Sequence, residues 1–169
     1  MTESPRSSAA NDNAPHIPPT GSAPLERPGR WGPYRLPTIT VVRQALVDQL
    51  CADRDARLVT VTAPAGYGKT TLLAQWVEQD PRRSAWLSID QFDNDPMVLL
   101  KGIRTAMGKA GMVPDHERAL AGITSRNAFP VGVIRVVRDA DPSMAGLLIL
   151  DRAERLQNPE SLAIVRELV

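Results

Sequence analysis

The sequence predicts an α/β fold, a parallel sheet flanked by helices, and three observations predict it. Short apolar runs at Leu58–Thr62, Ala85–Ile89 and Leu147–Asp151 alternate with stretches whose apolar residues recur at helical spacing. Strands separated by helix-length connections run parallel, because each crossover returns the chain to the same end of the sheet. Directly after the first run lies Ala63-Pro64-Ala65-Gly66-Tyr67-Gly68-Lys69-Thr70-Thr71. Strand, glycine turn ending in Gly-Lys-Thr, then helix is the layout of a phosphate-binding loop.

At 169 residues and 43% hydrophobic content the chain holds one domain with a real core. A net charge of +1 gives no general attraction to nucleic acid or membrane. Cys51 is alone and cannot form an internal disulfide, which fits a reducing compartment. No apolar run approaches the ~20 residues of a membrane span. The N-terminus is polar and proline-rich, unlike a signal segment, so a cytoplasmic protein is expected.

Residues 1–37 carry eight of the fifteen prolines and few large apolar residues. Proline fixes its own φ and lacks a donor, so this stretch is expected to be a disordered or loosely attached tail, with structure beginning near Thr38. Val42, Leu46 and Leu50 predict a helix over 40–52. Leu58–Thr62 reads as a buried strand. The helix after the glycine turn runs from Lys69 to about Gln79, ahead of Pro81. Ala85–Ile89 is a second strand. Asp95-Pro96 starts a helix with a capping Asp and Pro at its first position, and Leu99, Leu100, Ile103 and Met107 form its face.

Residues 108–127 carry little signal. Asn127–Arg138 suits a helical crossover between two parallel strands, although its β-branched content also suits a strand. Leu147–Asp151 is a third buried strand ending in an acid. Asn158-Pro159 caps a last helix with Leu162, Val165, Leu168 and Val169 on its face. Trp76 and Trp86 sit at core-facing positions. His116 has no metal-ligand partners at suitable spacing, and Arg126, Arg135 and Arg138 lack the interleaved aromatics of a nucleic-acid patch.

A triphosphate concentrates negative charge and demands many donors at close range. Gly66 and Gly68 let backbone N–H groups approach without side-chain obstruction, and the helix that follows points its free N–H groups and dipole at the anion. Lys69 supplies a point charge to the β/γ oxygens, the Thr70 hydroxyl suits Mg²⁺, and Thr71 is placed to reach the α-phosphate. Ala65 and Tyr67 complete the loop. Ala63 stands where the first glycine is usual, and its small size keeps the turn feasible. Asp151 is the expected strand-end acid that holds Mg²⁺ through its water shell. A hydrolytic site also needs a group to orient water. The position after Asp151 holds Arg152, so Glu154 is the remaining candidate, provided the backbone turns it inward. Asp90 is a further candidate, with a cap or turn role as the alternative.

Ala63–Trp76 closely resembles the phosphate loop of the large ATP-binding LuxR-family regulators, the MalT-like group of STAND P-loop ATPases. Val42–Leu46 resembles the arginine-containing helix ahead of that loop. Ala85–Asp90 with Asp93–Pro96 resembles the segment after the loop helix, and Leu147–Leu156 the Walker B strand and its exit. The resemblance spans about 36–169. It implies an ATP-binding switch, with ATP and Mg²⁺ as cofactors, ATP or ADP as ligands, Arg43 joining the nucleotide site, and Thr70 with Asp151 at the metal. It implies an oligomer as the active form, so self-association stays open.

The chain ends just after the Walker B helix, so 38–169 is expected to be a partial P-loop domain without the family's sensor and helix-turn-helix, and no direct DNA binding is expected. Arg152 replaces the family's second acid, so binding is expected over turnover. The family sheet order 5-1-4-3-2 would leave Leu58–Thr62 without neighbours unless it paired directly with Leu147–Asp151. Two other readings stay open. One is a self-standing P-loop kinase or NTPase, which needs lid arginines after the second strand; residues 108–127 offer Arg118 and Arg126 but no clear lid. The other is a degenerate fragment without nucleotide affinity.

Overall fold

In the computed structural model, 30–33, 35–113, 136 and 146–169 are described. The elements among them are α1 (Gln44–Ala52), α2 (Lys69–Gln79), β1 (Arg83–Ser88), α3 (Pro96–Lys109), β2 (Gly146–Asp151) and α4 (Pro159–Glu167), with short 3-10 turns at Gln91–Asn94 and Ala153–Arg155. β1 and β2 pair in parallel, from Arg83 opposite Gly146 to Ser88 opposite Asp151. Their adjacency is the one the family order implies for the second and third strands.

The core forms where α3 lies on this sheet. Ala85, Leu87 and Ile89 meet Leu99, Leu100, Ile103, Ala106 and Met107 from α3, with Leu156 and Ile164 closing one end. Each fully buried Leu or Ile contributes about 1.5–3 kcal/mol through removal of apolar surface from water. The opposite face of the sheet carries Trp86 and Ile149, which pack on Ala74 of α2 together with Leu73 and Val77. Trp76 and Trp86 are both buried, and each indole N–H finds an acceptor, Asp80 Oδ2 at 3.1 Å and Ser88 Oγ at 3.1 Å respectively.

Local chemistry sets the helix starts. The Asp95 carboxylate accepts from Met97 and Val98 N–H, with Pro96 following at the first helical position. The Asn158 side chain accepts from Glu160 N–H ahead of α4. Asp90 and Asp93 form a reciprocal capping box around the Gln91–Asn94 turn, so Asp90 takes the capping role.

Several expectations are corrected. Leu58–Thr62 is not a strand: it forms no ladder, Leu58 is 58% exposed, and Thr60 and Thr62 are also exposed. A strand exists only as a pair, and among the described residues no neighbour lines up with this segment, β2 included. The first helix starts at Gln44 and not at residue 40; its fully buried residue is Val47, whereas Leu46 on it and Val42 ahead of it are exposed. On α4 the inward face holds Ser161 and Ile164, with Val165 and Leu168 partly buried, while Leu162 and Val169 face solvent.

Residues 30–33 lie within the stretch read as a tail. Trp31 nevertheless forms an antiparallel bridge with Leu87, and Ser88 N–H donates to Arg30 O at 2.9 Å. The Arg30 guanidinium reaches both Asp90 and the buried Asp93. Asp93's carboxyl is pushed up from its ordinary value, first by burial, against the lowering effect of the Asp90 N–H and Arg30. Residues 1–29 and, apart from the buried Val136, the 127–138 crossover lie outside the described residues, as do His116, Arg118, Arg126, Arg135 and Arg138.

Candidate functional site

The glycine loop bends where its glycines permit. Gly66 and Gly68 have φ of 82° and 76°, in the left-handed region that side chains disfavour. Gly68 is the N-cap of α2, and the first hydrogen bond of the helix runs from Leu72 N–H to Gly68 O at 2.9 Å. The N–H groups of residues 68–71 therefore have no partner within the helix, and they carry its positive dipole end. A Cβ on Gly66 would meet no atom within 4 Å, so the loop is open on that side. Ala65 and Tyr67 are exposed, and Thr71 is half-buried in the first turn of α2.

Lys69 folds back over the loop, its Nζ donating to Ala63 O at 2.7 Å and to Pro64 O at 3.4 Å. The carbonyl of Ala63 thus helps hold the lysine, a task for which its missing glycine is no handicap.

Thr70 and Asp151 are brought together across 81 positions of sequence. The Thr70 hydroxyl donates to Asp151 Oδ1 at 2.8 Å. Asp151 is 3% exposed, and its second oxygen, Oδ2, is buried without a hydrogen-bond partner. A buried carboxylate oxygen left without a donor is costly. Together with the neighbouring hydroxyl it offers the hard oxygen groups that suit Mg²⁺ or its water shell, so the residues fit such a cation. Bound there, a divalent ion would neutralise charge on a nearby polyphosphate. Thr70 and Asp151 would hold it, and Lys69 would meet the phosphate.

Arg43 reaches the loop from the start of α1. Its guanidinium lies 3.2 Å from the position a Gly68 Cβ would take. Its N–H donates to Gln75 Oε1 at 3.2 Å, and Gln75 Nε2 donates to Val41 O at 3.0 Å. The buried Gln75 of α2 therefore fixes the chain entering α1 against the helix that carries Lys69 and Thr70. A cavity of about 360 Å³ opens between α1 and residues 59–63, and Arg43, Tyr67 and Lys69 stand on its wall.

The exit from β2 follows a separate logic. Arg152 has φ 61° and ψ 35°, the sole positive-φ residue other than glycine among the described residues. Its Nε lies 3.7 Å from Asp151 Oδ2. Glu154 is exposed on the Ala153–Arg155 turn. Asn94 ties this exit to the end of β1: its Nδ2 donates to Arg155 O at 3.0 Å, and its Oδ1 accepts from Gln157 and Asn158 N–H at 2.6 and 2.9 Å. Sequence reasoning missed Asn94 and Gln75. An amide six residues past the end of a strand is a weak signal, and a glutamine within an amphipathic helix is weaker still.

The model of the AAA domain family, described as "AAA domain", matches residues 52–169. Among curated proteins, the chain is similar to HTH-type transcriptional regulators named MalT. It is 40% identical to that of Vibrio cholerae over 86 residues, covering 51% of this chain and 9% of the relative. It is 41% identical to that of Cronobacter sakazakii over 93 residues, covering 51% and 10%, and 47% identical to that of Klebsiella pneumoniae over 73 residues, covering 41% and 8%. The chain thus spans about a tenth of the length of the relatives it matches. No solved structure matches it. No helix among the described residues is long and apolar enough to cross a membrane. With a P-loop glycine turn, a parallel sheet between helices and a family match over most of its length, the chain belongs to the AAA domain family, and part of it is similar to the MalT regulators.

Proposed function

We propose that this chain is the ATP-binding switch module of a MalT-like transcriptional regulator, working in the cytoplasm. It takes ATP or ADP with Mg²⁺ at residues 65–71, with Arg43 beside the loop and Thr70 and Asp151 at the cation. The observation that carries this reading is the 2.8 Å hydrogen bond from Thr70 to Asp151. It joins the phosphate loop to a buried strand-end carboxylate that has one oxygen to spare. A chance Gly-Lys-Thr turn has no reason to meet such a partner. The cavity of about 360 Å³ beside Lys69 and Tyr67 falls within the size range of small-ligand sites and suits the nucleoside.

Binding rather than turnover is the proposed chemistry. Hydrolysis needs a group that orients water beside the terminal phosphate. Arg152 follows Asp151, and Glu154 is exposed. Glu154 keeps a catalytic role only in a state that turns it inward.

Calorimetric titration of ATP·Mg²⁺ into the wild type and Lys69→Ala tests the reading. The expected result is one site per chain, weakened at least about tenfold by Lys69→Ala through loss of a charge-assisted phosphate contact. A folded wild type that gives no binding heat, or equal affinities for the two proteins, refutes it.

A further inference from the structure

The left-handed turn at Arg152 has a chemical consequence. Along an extended chain, successive side chains point to opposite faces, so the residue after Asp151 would point away from its carboxylate. The turn at φ 61° reverses this and brings the Arg152 guanidinium back, with Nε 3.7 Å from the buried Oδ2. That distance is too long for a hydrogen bond and short enough for an ion pair. The Arg152 side chain is 48% exposed and that of Asp151 3%, so the pair has its cation in solvent and its carboxylate buried. A strained conformation at a bulky residue is retained where surrounding structure over-determines it, and such residues cluster at functional sites. Asn94 supplies the surrounding structure by clamping the backbone at Arg155, Gln157 and Asn158.

Asp151 therefore has two claims on its charge: a divalent cation beside Thr70, and the guanidinium already present. Two cations around one carboxylate repel each other, and the fixed one reduces what the mobile one gains. We propose that Arg152 is a built-in counter-charge to Asp151 that makes nucleotide binding at this loop largely independent of divalent cation. Arg152 is a positioning and charge-setting residue here, acting through Asp151. The inference rests on the nucleotide reading of the loop and deepens it by naming how the site is regulated. A switch built this way holds its nucleotide through swings in free Mg²⁺ that would empty a site relying on the metal.

The test measures the affinity of a fluorescent methylanthraniloyl-ADP in excess EDTA and in excess Mg²⁺, for wild type, Arg152→Gly, Arg152→Lys and Lys69→Ala. Glycine removes the charge while suiting the left-handed backbone, and circular dichroism checks that the variant is folded. Lysine keeps the charge and guards against a purely conformational effect. The ratio of the two dissociation constants is expected to stay within about threefold for wild type and Arg152→Lys, and to rise about tenfold for Arg152→Gly as Mg²⁺ becomes necessary. An unchanged ratio in Arg152→Gly, with binding still weakened by Lys69→Ala, overturns the role of Arg152 and leaves the nucleotide site standing. A wild type that binds in neither condition overturns both.

Discussion

Asn94 joins the end of one strand to the exit of the other through a single side chain, and replacing it should loosen both. Its amide makes four hydrogen bonds: Nδ2 donates to Gln91 O at 3.2 Å and Arg155 O at 3.0 Å, while Oδ1 accepts from Gln157 and Asn158 N–H at 2.6 and 2.9 Å. Each is worth about 0.5–1.5 kcal/mol net, with the exposed ones at the lower end because water replaces them. Asn94→Ala should therefore cost about 2–3 kcal/mol, a large part of the 5–15 kcal/mol that holds a typical domain. The bonds through the Asn94 carbonyl, which accepts from Asn158 Nδ2 and Ser161 Oγ, would survive. Asn94→Asp separates the two halves of the amide. It keeps the acceptor for Gln157 and Asn158 and turns the donor into an oxygen facing two carbonyls. Its loss should lie between wild type and alanine, at about 1–2 kcal/mol. Urea unfolding followed by circular dichroism measures both at constant m-value. An alanine variant within about 0.5 kcal/mol of wild type, the usual scatter of surface substitutions, would refute the view of Asn94 as the clamp on the β2 exit.

Two further outcomes follow from charge and backbone geometry. The Asp80 carboxyl, held first by hydrogen bonds from the Arg82 side chain and then by its N–H and charge, is lowered from 3.8 to about 2. A depressed carboxyl stabilises the fold above its unfolded value and loses that contribution as pH falls through the folded one. About 2 kcal/mol present at pH 6 should thus drain away between about pH 4 and pH 2, and the stability gap between wild type and Asp80→Asn, measured by urea unfolding at successive pH values, should close over the same window. Gly68→Ala imposes a side chain at φ 76°, 3.2 Å from Arg43 Nη2. The guanidinium can swing aside but the backbone strain of about 1–2 kcal/mol remains, so thermal stability and ATP affinity should fall together, the latter read by the same titration as Lys69→Ala.

What could be read from the sequence was local. The Asp95-Pro96 start of α3, the Asn158-Pro159 start of α4 and the span of α2 rest on interactions within a few residues, and the structure has all three. The parts that escaped depend on residues far apart in the chain. The inward face of α4 holds a serine, whose Oγ donates to Asn94 O at 3.1 Å, beside Ile164, while Leu162 faces solvent. The phase of α1 is set against α2 by Arg43 with Gln75 and Gln44 with Gln79, so Val47 turns inward in place of Leu46. At the site, residue types and spacing identified Lys69, Thr70 and Asp151, but a spacing of 81 residues says nothing of the 2.8 Å that separates Thr70 from Asp151.

Leu58–Thr62 exposes the same limit most clearly, because β-branched residues favour extended backbone while only a partner makes a strand. Without that ladder, the phosphate loop must be held from behind. Ala74 and its neighbours on α2 pack on Trp86 and Ile149, and Gln75 fastens α2 to the chain entering α1. The helix therefore carries the loop to the sheet, and Thr70 completes the link by reaching Asp151. One hydroxyl then fastens the loop to β2. Were a divalent ion held there, Thr70 and Asp151 would supply its oxygen groups. Thr70 and Asp151 thus join the loop to the end of β2, and Asn94 separately ties the chain leaving β2 to the turn after β1.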